Sequence, residues 1–257
     1  MKAIKAWGQH FLTDPAIAAR IVAEAGIEPG EEVWEIGPGT GILSQELISA
    51  GARLTAFELD KRFAQVLKDR FRDALHLVLQ DILTVDWSMT LEGFPGTLKL
   101  VANIPYQITS PLLGKLEQWH HKFSRCVIMV QKEVAERLGA VPGTKAYGVM
   151  TLRLKRVFDV QTLFEVGREN FDPIPKVDSA VISLSPRLNP PAISDEKKYL
   201  ALISLAFAHR RKTLRNNLAA WLDKTRLAEL ESRSGIDLDR RGETLCEEEF
   251  ILLSSLL

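Results

Sequence analysis

The sequence predicts an α/β protein: a doubly wound sheet with helices on both faces, followed by a small all-helical domain. Three observations lead there. An apolar run, Val33–Ile36, meets a turn with glycines at 37, 39 and 41, and an amphipathic helix begins at Ile42. From there to about residue 185, strand-like and helix-like segments alternate; beyond Pro190-Pro191 the pattern is helical only. The chain has 257 residues, 46% hydrophobic, enough to bury the cores of a larger and a smaller domain, which we place at 1–188 and 189–257.

Asp14-Pro15 starts the first helix, with Asp as N-cap and Pro at the first helical position. Ile17, Ala18, Ile21, Val22 and Ala25 recur at helical spacing, and Gly26 closes it. A strand covers 33–36. Ile42, Leu43, Leu47 and Ile48 form the apolar face of the next helix, which ends at Gly51. A second strand covers 53–57, Asp60 caps a helix through Phe71, and a third strand covers 75–79. Strands at 98–102 and 126–130 are followed by helices at 109–118 and 131–138. Residues 139–144 read as a loop and 150–157 as a basic helix. Strands at 159–164 and 179–185 flank Asn170–Val177, an extended loop stiffened by Pro173 and Pro175. After a linker at 188–192, helices are expected at 195–208, 213–222, 226–234 and 246–256.

The totals exclude several classes. Lys plus Arg and Asp plus Glu both number 33, so the formal net charge is zero and any nucleic-acid surface must be a local cluster. No run of about 18 apolar residues predicts a membrane span. The start, Met1-Lys2-Ala3-Ile4-Lys5, lacks the apolar segment of a signal peptide. Cys126 and Cys246 stand far apart, and the five histidines show no metal-ligand spacing. We expect a reduced, cytoplasmic monomer with no metal.

The glycine turn would allow positive φ, close approach of a ligand, and free N–H groups at a helix start. A dinucleotide fingerprint would need a third glycine at 42, where Ile stands. Glu58 ends the second strand, about where an acid can bind ribose hydroxyls. Asp81 follows the third strand and can receive an adenine amine. Either acid alone would suit a helix cap; with the glycine turn, at successive strand tips, they favour a nucleoside. The fourth strand runs into Asn103-Ile104-Pro105-Tyr106. The Asn103 carbonyl and a main-chain carbonyl can accept the N–H groups of an exocyclic amine, whose lone pair is otherwise delocalised into its ring. Pro105 stiffens the loop, and Tyr106 offers a face for stacking.

The register Glu-x-Gly-x-Gly-x-Gly at 35–41 resembles the S-adenosylmethionine loop of Rossmann-like class I methyltransferases. Asn103–Tyr106 resembles the amino-methyltransferase motif of the KsgA-type ribosomal RNA small-subunit adenine dimethyltransferase family. Gly8–Leu12, Gln131–Leu138, Lys145–Gly148, Phe171–Ser179 and Arg210–Leu218 are similar to further segments of that family, so the likeness runs from about residue 5 to 220. The resemblance implies transfer of methyl groups from S-adenosylmethionine to two adjacent adenines near the 3′ end of small-subunit ribosomal RNA. It implies a donor site with His10, Leu12, Gly37, Gly39, Gly41, Glu58, Asp81 and Asn103. It places Asn103, Ile104, Pro105, Tyr106 and Phe171 at the reaction, with Tyr106 and Phe171 holding the target adenine. His10 stands where that family commonly has Asn.

Arg210, Arg211, Lys212 and Arg215 crowd the start of one predicted helix. Composition alone allows a solvated face; in a chain of zero net charge we read a phosphate-contacting patch. Three other functions remain open: an Erm-type enzyme of large-subunit RNA, a small-molecule methyltransferase, and an assembly factor acting mainly by binding. Pro111-Leu112-Leu113, Gln131-Lys132-Glu133 and Arg210–Leu218 favour the small-subunit type over the first. The aromatic clamp and arginine cluster speak against the second.

Overall fold

The computed structural model describes residues 8–92 and 94–257. The chain divides into two compact units. The first runs to Ala135 and resumes over Phe158–Pro186; the second comprises Glu136–Val157 and Arg187–Leu257.

The first unit opens with a short strand β1 (Phe11–Leu12) and helix α1 (Pro15–Ala25). Asp14 accepts a hydrogen bond from the Ala16 N–H at 2.8 Å, and Gly26 ends α1 in the left-handed region, φ 59°. Then follow β2 (Glu32–Ile36), α2 (Ile42–Ser49), β3 (Arg53–Phe57), α3 (Ala64–Phe71), β4 (Leu75–Val78), α4 (Trp87–Glu92), β5 (Leu98–Asn103), α5 (Thr109–Gln118) and β6 (Phe123–Gln131). After α6 (Lys132–Gly139) and α7 (Val149–Val157), the chain returns as β7 (Phe158–Val166), β8 (Phe171–Asp172) and β9 (Ser179–Pro186). Seven strands form one sheet in the order β4-β3-β2-β5-β6-β9-β7, parallel except at β9, which runs antiparallel to both neighbours. A separate pair joins β1 to β8.

Alternation along β2 explains why helices cover both faces. Val33 joins Ala18, Ile21, Leu43, Leu47, Leu67 and Phe71 of α1–α3 in one apolar cluster. Trp34, pointing the other way, meets Phe57, Trp87 of α4 and Phe123 edge-on at 4.8, 5.5 and 6.2 Å between ring centroids. Helix α4 was not anticipated; its buried Trp87 and Leu91 make a single apolar pair too short to show a period.

The second unit is helical, with α8 (Glu196–Ala206), α9 (Leu214–Leu218), α10 (Lys224–Ser234) and α11 (Glu247–Leu256). Its core gathers Tyr199, Leu202, Ile203, Leu214, Leu218, Leu230 and Phe250, together with Tyr147 and Leu152. The Tyr147 hydroxyl donates to the Leu245 carbonyl at 2.9 Å. Residues 136–157 therefore pack with this unit, although the expected boundary at 188 put them in the first. Sequence order hid this, because the helical core draws on both sides of the β7–β9 insertion.

Candidate active site

Strand order reverses at the middle of the sheet. From β2 the chain moves to β3 and β4 on one side; β5 and β6 lie on the other. The loops after β2 and β5 thus diverge at the carboxyl edge and leave a crevice between them.

The glycine turn forms one wall. Gly37, Gly39 and Gly41 have φ of 69°, 54° and 81°, where side chains are strained. The Gly37 N–H donates to the Phe57 carbonyl at 2.9 Å, tying the turn to β3. A side chain on Gly37 would point toward Pro105 and the Asn103 carbonyl, 3.8 and 3.9 Å away, and so into the crevice. At Gly41 it would come within 2.6 Å of the Phe71 ring. Gly41 begins α2 and lines neither cavity, so its work is in shaping the turn.

The crevice holds two cavities, of about 60 and 120 Å³, each far above the 10–15 Å³ that one water needs. Gln9, Gly37, Glu58 and Pro105 line both. Glu58 is buried. One carboxylate oxygen accepts the Gly39 N–H at 3.0 Å and the other the Asp60 N–H at 2.7 Å. Burial pushes its pKa up, against the pull of those two bonds. Each oxygen keeps a lone pair for a ligand hydroxyl. Beside it, Arg62 holds the Asp60 carboxyl down at about 2, and Gln9 donates to Asp60 at 3.0 Å, fixing the segment before β1.

The larger cavity is the more apolar, with Leu59, Ile82 and Ile108 around Asp81. One Asp81 oxygen accepts the Leu83 N–H at 2.9 Å; the other remains for a ligand donor. An acid beside apolar walls suits a flat ring carrying an amine.

The smaller cavity gathers the residues expected at the reaction. His10, Leu12, Gly39, Asn103, Ile104, Pro105, Tyr106 and Phe171 all line it. Asn103 ends β5, in register with Met129 of β6, and Ile104 beyond it is 2% exposed and anchors the loop. Among the described residues no hydrogen bond engages the Asn103 side chain. The Tyr106 hydroxyl meets Ser179 Oγ at 2.8 Å, and its ring stacks on His10 at 5.8 Å and 28°. Pairing of Leu12 with Phe171 brings the late loop to the same wall. Phe171 is only 3% exposed, so it offers the cavity a wall and no free-standing plate.

Leu59, Ile82 and Glu35 are among the lining residues outside the expected set. Leu59 and Ile82 each directly follow an acid at a strand tip, which was signal enough. Glu35 opened the glycine register but was assigned no role. It is 1% exposed and accepts from Ser44 Oγ at 2.6 Å, and burial pushes its pKa up to about 8.

The basic segment lies in the helical unit. Arg210 pairs with Glu243 through Nε and Nη2 at 3.1 and 2.7 Å. Arg215 pairs with Asp239 at 2.9 Å and Glu231 at 2.7 Å, which raises its pKa further. Arg211 and Lys212 are exposed, with no ion pair among the described residues. Of the four cations expected to contact phosphate, Arg210 and Arg215 are thus ion-paired; among the described residues Arg211 and Lys212 are not.

A family model for ribosomal RNA adenine dimethylase matches residues 1–257. The chain belongs to that family. Ribosomal RNA small subunit methyltransferase A of Geobacter metallireducens is 42% identical over 261 residues, covering 99% of this chain and 95% of the relative. A dimethyladenosine transferase from Plasmodium falciparum has a similar structure, with TM-score 0.80 and 27% identity over 95% of this chain and 96% of that one. The 23S rRNA methyltransferase ErmE gives TM-score 0.73 and 26% identity over 96% and 99%. The sheet and its two-faced helical cover are those of class I methyltransferases. The adenine dimethylases are a family of S-adenosylmethionine-dependent enzymes, and the cradle fits that donor: an open turn at Gly37, a buried acid for hydroxyls, and an apolar slot beside Asp81. Among the described residues no helix is long and apolar enough to cross a membrane, and no group of His, Cys, Asp and Glu could hold a metal.

Proposed function

We propose that the chain is an adenine-N6,N6-dimethyltransferase of small-subunit ribosomal RNA. It acts as a cytoplasmic monomer on two adjacent adenines near the 3′ end during small-subunit assembly. The observation that carries this reading is the Asn103 amide, unengaged among the described residues and set between the glycine turn and Tyr106 at the smaller cavity.

S-adenosylmethionine supplies, when bound, a methyl group already activated on a sulfonium. Glu58 holds its ribose hydroxyls, Asp81 its adenine amine between Leu59 and Ile82, and Gly37 and Gly39 allow the chain to approach. Leu12 and His10 close the wall opposite. Asn103 Oδ1 and a neighbouring carbonyl accept the N–H groups of the target amine and turn its lone pair toward the methyl. Pro105 and the buried Ile104 keep that loop from yielding. Tyr106 and the Phe171 wall hold a base taken out of its stack. No strong base is needed, so positioning and electrostatic fit supply most of the rate. Arg211 and Lys212 contact phosphate.

Tritiated methyl transfer to small subunits lacking the modification tests this, with the product mapped by nuclease digestion. Label in dimethyladenine at two adjacent positions is expected. Label only on naked large-subunit RNA would assign the Erm-type function instead.

A further inference from the structure

The loop between β8 and β9 is tied to the smaller cavity at both ends. Phe171 at its stem lines that cavity, as do His10 and Tyr106. His10 Nδ1 donates to the Pro173 carbonyl at 2.6 Å, and the Tyr106 hydroxyl meets Ser179 Oγ at 2.8 Å. Between those ties Pro175 is buried, and Arg168 donates to the Lys176 carbonyl at 3.4 Å. Pro173 and Pro175 fix φ on either side of Ile174, and a residue before proline is itself restricted. This anchored loop nevertheless turns an aliphatic side chain outward. Ile174 is 64% exposed; among the described residues of the first unit only Met89 is a more exposed large apolar side chain. Ile174 lines neither cavity. Lys176, two residues on, is also exposed and has no ion pair among the described residues. An aliphatic group beside a cation, on the rim of a pocket read as taking a base, matches a base face and its phosphate.

We infer that Ile174 is a wedge for the RNA: when the target adenine turns into the pocket, Ile174 packs on the neighbouring base whose face is uncovered. The inference rests on the proposed reading of the pocket. Taking a base out of its stack costs free energy, because the bases beside it lose a contact surface. An apolar side chain placed at the opened step restores part of that surface. A stiff loop gives up little conformational freedom in making the contact. Ile174 therefore acts on the step from docked subunit to captured base. Docking itself is dominated by phosphate contacts, to which Lys176 adds one.

The test compares Ile174→Ala, Ile174→Leu and Met89→Ala with the wild-type chain. Unmodified small subunits carry 2-aminopurine at the target. Their affinity is measured by filter retention at fixed salt, and base capture by fluorescence at saturating chain. Ile174→Ala should lower the capture equilibrium roughly tenfold, the scale of half-burying one aliphatic side chain, with subunit affinity within about threefold. Ile174→Leu keeps the bulk and should capture within about twofold of wild type. Met89→Ala removes an equally exposed apolar group from helix α4 and should change neither reading. Single-turnover methylation at saturating chain should fall with the captured fraction. Wild-type capture by Ile174→Ala would overturn the inference. So would a loss of subunit affinity with capture of the docked subunits intact, which would make Ile174 a docking contact only. Failure of Ile174→Leu alongside Ile174→Ala would also overturn it, since a wedge acts through its apolar bulk. A wild-type chain that docks but captures no base is a separate result: it defeats the reading of the pocket itself.

Discussion

At the carboxyl edge of the sheet, polar side chains keep hydrogen-bonding capacity facing a cavity. Among the described residues, Asn103 is unengaged, one Asp81 oxygen has no partner, and the Glu58 oxygens each accept one N–H, from Gly39 and Asp60. The Arg210–Arg215 segment of the helical unit is the reverse. Its densest charges are engaged: Arg210 with Glu243, and Arg215 with Asp239 and Glu231. By sequence the second region is the more conspicuous, with four cations in six positions. The difference teaches that charge density in a sequence does not show which charges are left without partners by the fold.

Breaking the first region should give the larger effects. Glu58→Ala should weaken donor binding by about 1–3 kcal/mol, since hydroxyls lose their acceptor and the Gly39 N–H its partner. Calorimetry with the donor checks this; unchanged affinity would remove Glu58 from the site. The second region should separate into two kinds of residue. Arg211→Ala with Lys212→Ala should make the negative slope of log affinity against log salt shallower by roughly 1.4–1.8, at 0.7–0.9 per lost phosphate contact. Binding measured between low and moderate salt decides; an unaltered slope would return both residues to a solvated face.

A separate effect concerns Glu35. Its pKa is raised from 4.5 to about 8 by burial, so the folded state favours the protonated acid. The stability this confers is complete below the ordinary glutamate value and lost as pH rises through about 8. Glu35→Gln keeps an acceptor for Ser44 and does not ionise. Its melting temperature should gain on wild type from pH 6 to pH 9 by several degrees, at about 2–4 °C per kcal/mol. A pH-independent difference would show that Glu35 is not held protonated.

Legibility followed the range of the interaction. The glycine turn, Glu58, Asp81 and Asn103 were readable because each sits at a strand end, and strand ends follow from local pattern. So were the caps at Asp14 and Asp60, whose acceptors serve N–H groups two residues on. The partners of Arg215 lie 16 and 24 residues away, and that of Arg210 lies 33 away, so folding alone brings them together. The same applies to His10. The family resemblance implied a donor contact for it; that its ring meets Tyr106 and its Nδ1 meets Pro173, 163 residues on, follows only from the fold. Residues 136–157 joined the helical unit for a like reason, because Tyr147 and Leu152 find their apolar partners beyond Arg187.

The contrast between available and engaged groups is tested most directly by Asn103→Ala and Arg215→Ala in one experiment. Single-turnover methylation of unmodified small subunits is followed for each, with subunit affinity and thermal melting measured on the same preparations. Asn103→Ala should lose about 100-fold or more in rate, the scale of removing one oriented transition-state contact, with affinity and melting near wild type. Arg215→Ala should melt lower while its folded fraction methylates at the wild-type rate. Wild-type rate and product from Asn103→Ala would contradict the account, as would a rate loss in Arg215→Ala without any loss of stability.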